Sequence, residues 1–192
     1  MQKTVYKDKI LLEGERLTLQ PLREADLTDE YVEGLNDPRV NRYLAFIEHQ
    51  TEATVRNYVK LNWECANSIL FGIFLKNESH PFVGTVRVSD INWQHWLANV
   101  GVGLFAQRAW KKGYAQEAVA LTVDYCFKEL GLHYLEAGAY AENVNSVTLF
   151  QRVGFKEVYR IKNKYAHDSC FKEVIYLAIE NEAFDESVLA RK

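Results

Sequence analysis

The chain contains little cysteine and little proline, and it has no long apolar run. Of its 192 residues, 3 are Cys and 3 are Pro. Cys65, Cys126 and Cys170 lie far apart with no CxxC pair, which argues against a disulfide framework and against a zinc site. No segment approaches the ~18 apolar residues of a membrane span, and the first residues lack an apolar signal core. We therefore expect a cytoplasmic protein with no metal and no membrane partner.

Charge and composition narrow the function classes further. The net charge of −3 argues against nucleic acid as the main partner and mildly favours a cationic substrate. Apolar residues make up 48% of the chain, as is typical of a folded globular protein. The length fits one domain spanning residues 1–192.

Hydrophobic periodicity predicts a chain in which strands and helices alternate. Strands are expected over residues 17–22, 69–75, 82–91, 99–105, 133–140, 155–161 and 170–179. Helices are expected over residues 25–35, 51–66, 115–130 and 146–153. This order predicts an α+β fold, in which a mixed, mainly antiparallel twisted sheet is flanked by helices on both faces.

Residues 100–118 combine an apolar strand, a polar turn and the start of a helix. Gly113 lies in the turn and allows a backbone geometry and a close approach that a Cβ would block. Free N–H groups of the turn and of the helix N-terminus then point outward together, which creates an anion site. Lys111 and Lys112 add positive charge beside it, so the pattern predicts a site for a pyrophosphate.

Two other phosphate-binding motifs fit this segment poorly. A P-loop requires Gly-Lys-Ser/Thr, whereas Tyr114 follows Gly113 and no Ser or Thr is in register. Gly101, Gly103 and Ala106 match a dinucleotide-binding fingerprint. That motif requires a helix that begins near Ala106, and Gly113 would interrupt it in its second turn.

The remaining interpretation is a family resemblance. The segment from Trp110 to Ala115 resembles motif A of the GNAT N-acetyltransferases, in its RimJ/RimL-type form. Residues 143–155 resemble motif B of the same family, with Phe150 where many members have Tyr and Arg152 where they have Lys. Motif A covers about residues 100–131 and motif B about 140–155. The resemblance implies a GNAT-like fold and acetyl-CoA as the donor.

The resemblance also implies which residues bind acetyl-CoA. Backbone groups of a strand are expected to bind the pantetheine arm, and they belong to Gly103, Leu104 and Phe105. The loop that begins at Trp110 is expected to hold the pyrophosphate through the amides of Lys111, Lys112, Gly113, Tyr114, Ala115 and Gln116. Asn143 is expected near the same molecule. Gly101 and Gly103 serve either a close approach of the ligand or packing under a bulky neighbour.

The acid that protonates the leaving thiolate is not evident. Asn143 matches the family residue that orients the motif B turn, and it could equally cap the following helix. Many relatives use a Tyr as the acid, but Phe150 stands at that position and cannot donate a proton. Ser146 is the candidate replacement, and water is the alternative because a thiol pKa near 8.5 makes this step easy.

The identity of the general base is also not evident from the sequence. Glu142, which follows a predicted strand, is the first candidate, and Asp90 is another. His95 and His133 qualify by their ordinary pKa range, although His133 also reads as a structural residue at a strand start. Asn99 stands where close relatives commonly carry Glu.

The resemblance implies an acetyl-CoA-dependent N-acetyltransferase that transfers the acetyl group directly to a primary amine. A protein N-terminus is the favoured acceptor, and a polyamine, an amino sugar or an antibiotic stays open. The alternative is a catalytically silent acyl-CoA-binding module. The resemblance also implies that residues 36–50 form one wall of the acceptor site.

The Trp93 and Trp96 pair could stack on a ligand, cap the core or contact a second subunit. A homodimer is therefore also open.

Overall fold

The fold is built on one mixed sheet of eight strands, seen in a computed structural model that describes residues 5–44, 48–167 and 169–191. The strands are β1 (Leu12–Glu13), β2 (Leu17–Pro21), β3 (Ile69–Leu75), β4 (Phe82–Asn92), β5 (Leu97–Leu104), β6 (Tyr134–Tyr140), β7 (Lys156–His167) and β8 (Cys170–Glu180). The α-helices are α1 (Asp29–Asn36), α2 (Pro38–Asn41), α3 (Glu52–Glu64), α4 (Tyr114–Lys128) and α5 (Val144–Val153). Short 3-10 turns cover Lys7–Lys9, Glu24–Asp26, Gln107–Ala109 and Glu186–Arg191.

The strand order across the sheet is β1-β2-β3-β4-β5-β6-β8-β7, and β5 with β6 is the parallel pair among antiparallel neighbours. Helices cover both faces. Phe71 of β3 contacts Tyr125 of α4 on one face, with ring centroids 5.9 Å apart. Arg87 of β4 points to the other face and lies over Tyr58 of α3. The predicted α+β fold with a mainly antiparallel sheet is confirmed.

Among the observed elements that differ from the prediction, two helices do so because of N-terminal capping and one strand because of its pairing. α1 begins at Asp29 rather than at residue 25, because the Thr28 side chain accepts a hydrogen bond from the Tyr31 amide. α2 was not predicted, and it begins at Pro38 after Asp37, whose carboxylate accepts from the Arg39 amide. β7 runs to His167, six residues beyond the predicted end, because it pairs with β8 almost to the turn.

Both long helices pack an apolar stripe onto the sheet. α4 buries Ala118, Val119, Val123 and Cys126, while Lys128 pairs with Asp124 on its exposed side. This pattern explains why α4 could be predicted within two residues of its observed ends. Among the described residues, no helix is both long and apolar enough to cross a membrane.

Candidate active site

The two parallel strands at the centre of the sheet separate after three residue pairs. β5 pairs with β6 at Leu97, Ala98 and Asn99, whose partners are Tyr134, Leu135 and Glu136. Beyond this point β5 continues beside β4, and β6 continues beside β8. We call the resulting cleft between residues 100–104 and 137–140 the wedge. Because the strands no longer pair, the peptide groups along its inner edges are available to a ligand.

Glycines leave open space along the wedge. A Cβ at Gly101 would meet no atom within 4 Å, and one at Gly103 would meet only the Leu44 side chain, at 4.0 Å. No bulky neighbour therefore packs over Gly101. Across the wedge, a Cβ at Gly138 would lie 3.4 Å from the Tyr176 ring. We call Gly101, Gly103 and Gly138 the glycine floor, since register and strand alternation place them on one face of the sheet.

The anion site predicted around Gly113 has the expected backbone shape. Gly113 adopts a φ of +82° and caps α4 without any side chain that could accept from the helix. The amides of the first turn, at Tyr114, Ala115 and Gln116, are therefore available to an anion. Lys111 also has a positive φ, of 60°, and its side chain and that of Lys112 are exposed beside the loop. The loop can thus hold a pyrophosphate through backbone groups, with positive charge nearby.

Arg16, in the turn between β1 and β2, fastens this loop to the sheet. Its guanidinium donates to the Lys112 carbonyl at 2.8 Å and to the Glu117 carboxylate at 2.7 Å, and it lies over the Tyr114 ring. The Arg16 amide donates to the same carboxylate at 2.8 Å. Sequence reasoning gave Arg16 no role, because its partners lie about 100 residues away and leave no local signal.

The Trp110 indole closes the loop from its other end. Its Nε1 donates to the Leu104 carbonyl, at the end of β5, over 3.0 Å. The end of the wedge and the start of the anion loop are thereby held together. A ligand that enters the wedge along Gly103, Leu104 and Phe105 would therefore meet the Gly113 loop next.

The motif B residues lie at the start of α5. Asn143 is its N-cap, and its side-chain oxygen accepts from the Ser146 amide at 3.2 Å. The capping role that the sequence left open is thus present. Phe150 is buried against Phe155, with ring centroids 5.1 Å apart, so it serves packing.

We expect the Ser146→Ala variant to lower kcat about tenfold and to leave acetyl-CoA affinity unchanged. The loss is small because a thiolate with a pKa near 8.5 takes a proton readily from water. Steady-state kinetics with a thiol-detection assay measure it. Asn143→Ala, by contrast, removes a helix cap and should cost about 1 kcal/mol of folding stability. A loss in kcat beyond 10²-fold for Ser146→Ala would make the hydroxyl an obligatory acid.

The structure places the acidic base candidates in different surroundings. Glu142 pairs with Lys172 of β8 at 3.0 Å and is half exposed. Asp90 accepts hydrogen bonds from Asn99 and from Ser89, and these bonds lower the pKa of its carboxyl. A carboxylate with a lowered pKa is a weaker proton acceptor.

The histidine candidates and the Trp pair lie at the closed end of the β5–β6 pair, away from the wedge. The His133 amide donates to the Trp96 carbonyl at 2.7 Å, just before β6 begins. Phe184 contacts both rings, with centroids 4.9 Å from His133 and 5.7 Å from Trp96. His95 is exposed in the same turn, and Trp93 packs against the core. These contacts match the core-capping interpretation of the turn.

The predicted acceptor segment, residues 36–50, borders an open cavity of about 740 Å³. Asn36 ties the two ends of this segment together, since its amide nitrogen donates to the Gln50 carbonyl at 2.7 Å and its oxygen accepts from the Gln50 amide. Residues 45–47 of the segment lie outside the described residues. Within the described part of the segment, the Leu44 side chain approaches the glycine floor, 4.0 Å from where a Cβ at Gly103 would lie.

Comparisons with known proteins agree with this geometry. Residues 16–156 match the family model of the acetyltransferase (GNAT) domain. The probable N-acetyltransferase YjcK of Bacillus subtilis (strain 168) is 30% identical over 155 residues, which are 76% of this chain and 83% of that protein. A GNAT acetyltransferase from Bacillus anthracis has 26% identity and a TM-score of 0.76, over 89% of this chain and 98% of that one. The spermidine N-acetyltransferase of Vibrio cholerae, solved with CoA and spermine, has 20% identity and a TM-score of 0.80, over 89% of this chain and 99% of that one.

Proposed function

The chain belongs to the GNAT family of acetyltransferases and is an N-acetyltransferase, and we propose that it transfers an acetyl group from acetyl-CoA directly to a primary amine. The observation that carries the proposal is the wedge between β5 and β6, which leads from the glycine floor to the Gly113 loop. An extended pantetheine arm suits peptide groups along an unpaired strand edge, and a pyrophosphate suits a helix N-terminus.

The candidate binding residues follow along the chain in the same order as the groups of the donor that they would bind. Gly103, Leu104 and Phe105 would bind the pantetheine arm through backbone groups, and the loop from Trp110 to Gln116 would hold the pyrophosphate. Bound in this way, acetyl-CoA supplies the thioester carbon that the amine attacks. Arg16 keeps the loop in place through its bonds to Lys112 and Glu117.

Direct transfer also agrees with the cysteines. Cys126 is fully buried in α4, and this burial raises the pKa of its thiol to about 12. It therefore stays protonated at neutral pH and cannot act as a nucleophile. Cys65 follows α3, and Cys170 begins β8 at the hairpin turn, so neither lies along the wedge.

We propose a protein N-terminus as the first acceptor class, on the strength of the RimJ/RimL-type motifs. Gly101 is exposed, and the open space over it leaves room for the end of a polypeptide as well as for a smaller amine. Polyamines, amino sugars and aminoglycoside-type antibiotics are the competing classes. Three further statements stay predictions: that the chain acts as one domain, that it lies in the cytoplasm and that it associates as a homodimer.

We expect acetyl-CoA to stabilise the fold, whereas NAD and ATP should not. A ligand that binds only the folded chain should add about 2.7 kcal/mol at a concentration 100 times its Kd. Thermal unfolding with each nucleotide measures this effect. A shift with NAD and none with acetyl-CoA would contradict the donor assignment.

A turnover assay then tests the transfer itself. Thiol release is followed with acetyl-CoA and a panel that holds an alanine-initiated peptide, spermidine, glucosamine and an aminoglycoside. Turnover fastest with the peptide supports the proposed acceptor class, and turnover fastest with another member reassigns it. Binding of acetyl-CoA with no thiol release across the panel would favour the silent acyl-CoA-binding module.

A further inference from the structure

Glu136 lies at the point where the wedge opens. It is the last β6 residue in register with β5, and its partner there is Asn99. In a parallel pair, register partners point to the same face, so Glu136 shares its face with the glycine floor. The next residue of β6 on that face is Gly138, which brings no side chain of its own, although the Tyr176 ring lies 3.4 Å from where its Cβ would be. The side chain of Glu136 is half-buried.

Two tyrosines stand beside this carboxylate. The rings of Tyr159 and Tyr176 stack with centroids 4.5 Å apart, and the Tyr159 hydroxyl reaches both carboxylate oxygens of Glu136 at 3.4 Å. The Tyr176 ring also leans over Gly138. Burial and, after it, the charge of Glu136 raise the pKa of Tyr134 and of Tyr159, so both phenols stay protonated. A carboxylate is thus framed by aromatic rings on one side and open floor on the other.

No cationic side chain forms an ion pair with Glu136 within the described part of the chain, and the Tyr159 hydroxyl is its hydrogen-bond partner there. Glu142 pairs with Lys172 and Glu157 with Arg160, whereas neither Glu136 nor Glu180 forms an ion pair with a described residue. The Lys164 Nζ lies 4.3 Å from the centre of the Tyr176 ring, so one ammonium already occupies this aromatic surface and the acceptor would bind beside it, at the carboxylate. A carboxylate beside aromatic faces is a favourable environment for an alkylammonium group.

We infer that Glu136, with Tyr159 and Tyr176 beside it, binds the ammonium group of the acceptor at the apex of the wedge and takes its proton. The inference rests on the proposed function and adds a residue to its acceptor side. It assigns the acceptor class as amines that are cationic at neutral pH, delivered across the glycine floor toward the thioester.

The proton balance follows from this placement. The ammonium loses one proton to Glu136, which passes it to solvent. The neutral nitrogen attacks the thioester carbonyl carbon, the C–N bond forms, and the C–S bond breaks with the electron pair on sulfur. The nitrogen loses a second proton, which ends on the thiolate. The products are the amide, free CoA thiol and one released proton.

We expect Glu136→Gln to lower kcat/KM about 100-fold for spermidine and for an alanine-initiated peptide, with acetyl-CoA affinity changed less than twofold. Methoxyamine, a nucleophile that is neutral at pH 7, should lose much less, because it brings no ammonium and needs no prior deprotonation. Tyr159→Phe keeps the ring stack and should cost only a few-fold. Equal losses for cationic and neutral acceptors would overturn the inference, as would wild-type rates in Glu136→Gln.

Glu180→Gln is the matched control. Glu180 is exposed on the same face and pairs in register with Tyr134, at the closed end of the strand pair. It should keep wild-type rates with every acceptor. If the wild-type protein acetylates none of the amines, the proposed function fails, and calorimetry with spermidine decides the inference separately. Equal spermidine affinity in wild type and Glu136→Gln would then overturn it.

Discussion

Gly113→Val is expected to bind acetyl-CoA about 10³-fold more weakly than the wild type while it stays folded. The φ of +82° is strained for any residue with a Cβ and worst for a β-branched one. That Cβ would also lie 3.3 Å from the Arg16 guanidinium, a tight contact that the arginine side chain or the loop must relieve by a small shift. Losing two amide bonds to a charged phosphate, at about 1.5–3 kcal/mol each, gives this magnitude. Isothermal titration calorimetry with acetyl-CoA measures it.

Gly131→Val separates loss of the anion site from general strain. Gly131 follows the other end of α4 and has a φ of +68°, so valine there meets a comparable backbone penalty. Both variants should lose folding stability, by roughly 1–2 kcal/mol, and only Gly113→Val should lose acetyl-CoA affinity. If Gly113→Val bound acetyl-CoA like the wild type, the pyrophosphate would have to lie elsewhere.

Local signals in the sequence were sufficient for most of the elements. The apolar repeat of α4 and the glycine before it placed this helix correctly, since periodicity and capping act over a few residues. The central strands β3 and β4 were predicted almost to the residue because both are strongly apolar and bounded by turn residues. Two-residue β1 was missed, since its pairing with β2 depends on the tertiary fold.

The wedge could not be predicted from the residues that form it. Nothing in the sequence of β5 or β6 says where their pairing stops, because that point depends on how each strand twists with its other neighbour. Gly101 and Gly103 stand out in the sequence as glycines within a strand, but the open space over them appears only in three dimensions.

Contacts between residues far apart in the sequence also decide which acidic residues are plausible candidates for the general base. Glu142 is a base candidate from the sequence because it follows a predicted strand, and the fold places Lys172 against it. No local pattern singles out Glu136, because its environment arises from register with Asn99 and from Tyr159, which lies 23 residues later. Arg16 is the same kind of case, since its contacts with Lys112 and Glu117 join distant segments.

Gly101→Val is expected to lower kcat/KM for amine acetylation about 10³-fold while the fold becomes no less stable. The valine side chain would fill the space over the glycine floor, where the acceptor and the thioester must meet. A displacement of about 1 Å already costs about 10²-fold when reacting groups are held in place, and a filled site costs more. Replacing a strand glycine by a β-branched residue should itself be neutral or stabilising by up to about 1 kcal/mol. Steady-state kinetics and urea unfolding measure the two effects.

Gly72→Ala should show the opposite combination. Gly72 lies on the same face, two strands from Gly103, but a Cβ there would come within 2.5 Å of the Phe74 ring. We expect this variant to lose about 1–3 kcal/mol of stability through overpacking, with the kcat/KM of the folded molecules unchanged. The contrast assigns one glycine to packing and the other to the reaction. Wild-type kcat/KM in a folded Gly101→Val protein would mean that the acceptor approaches the thioester by a route that avoids the glycine floor.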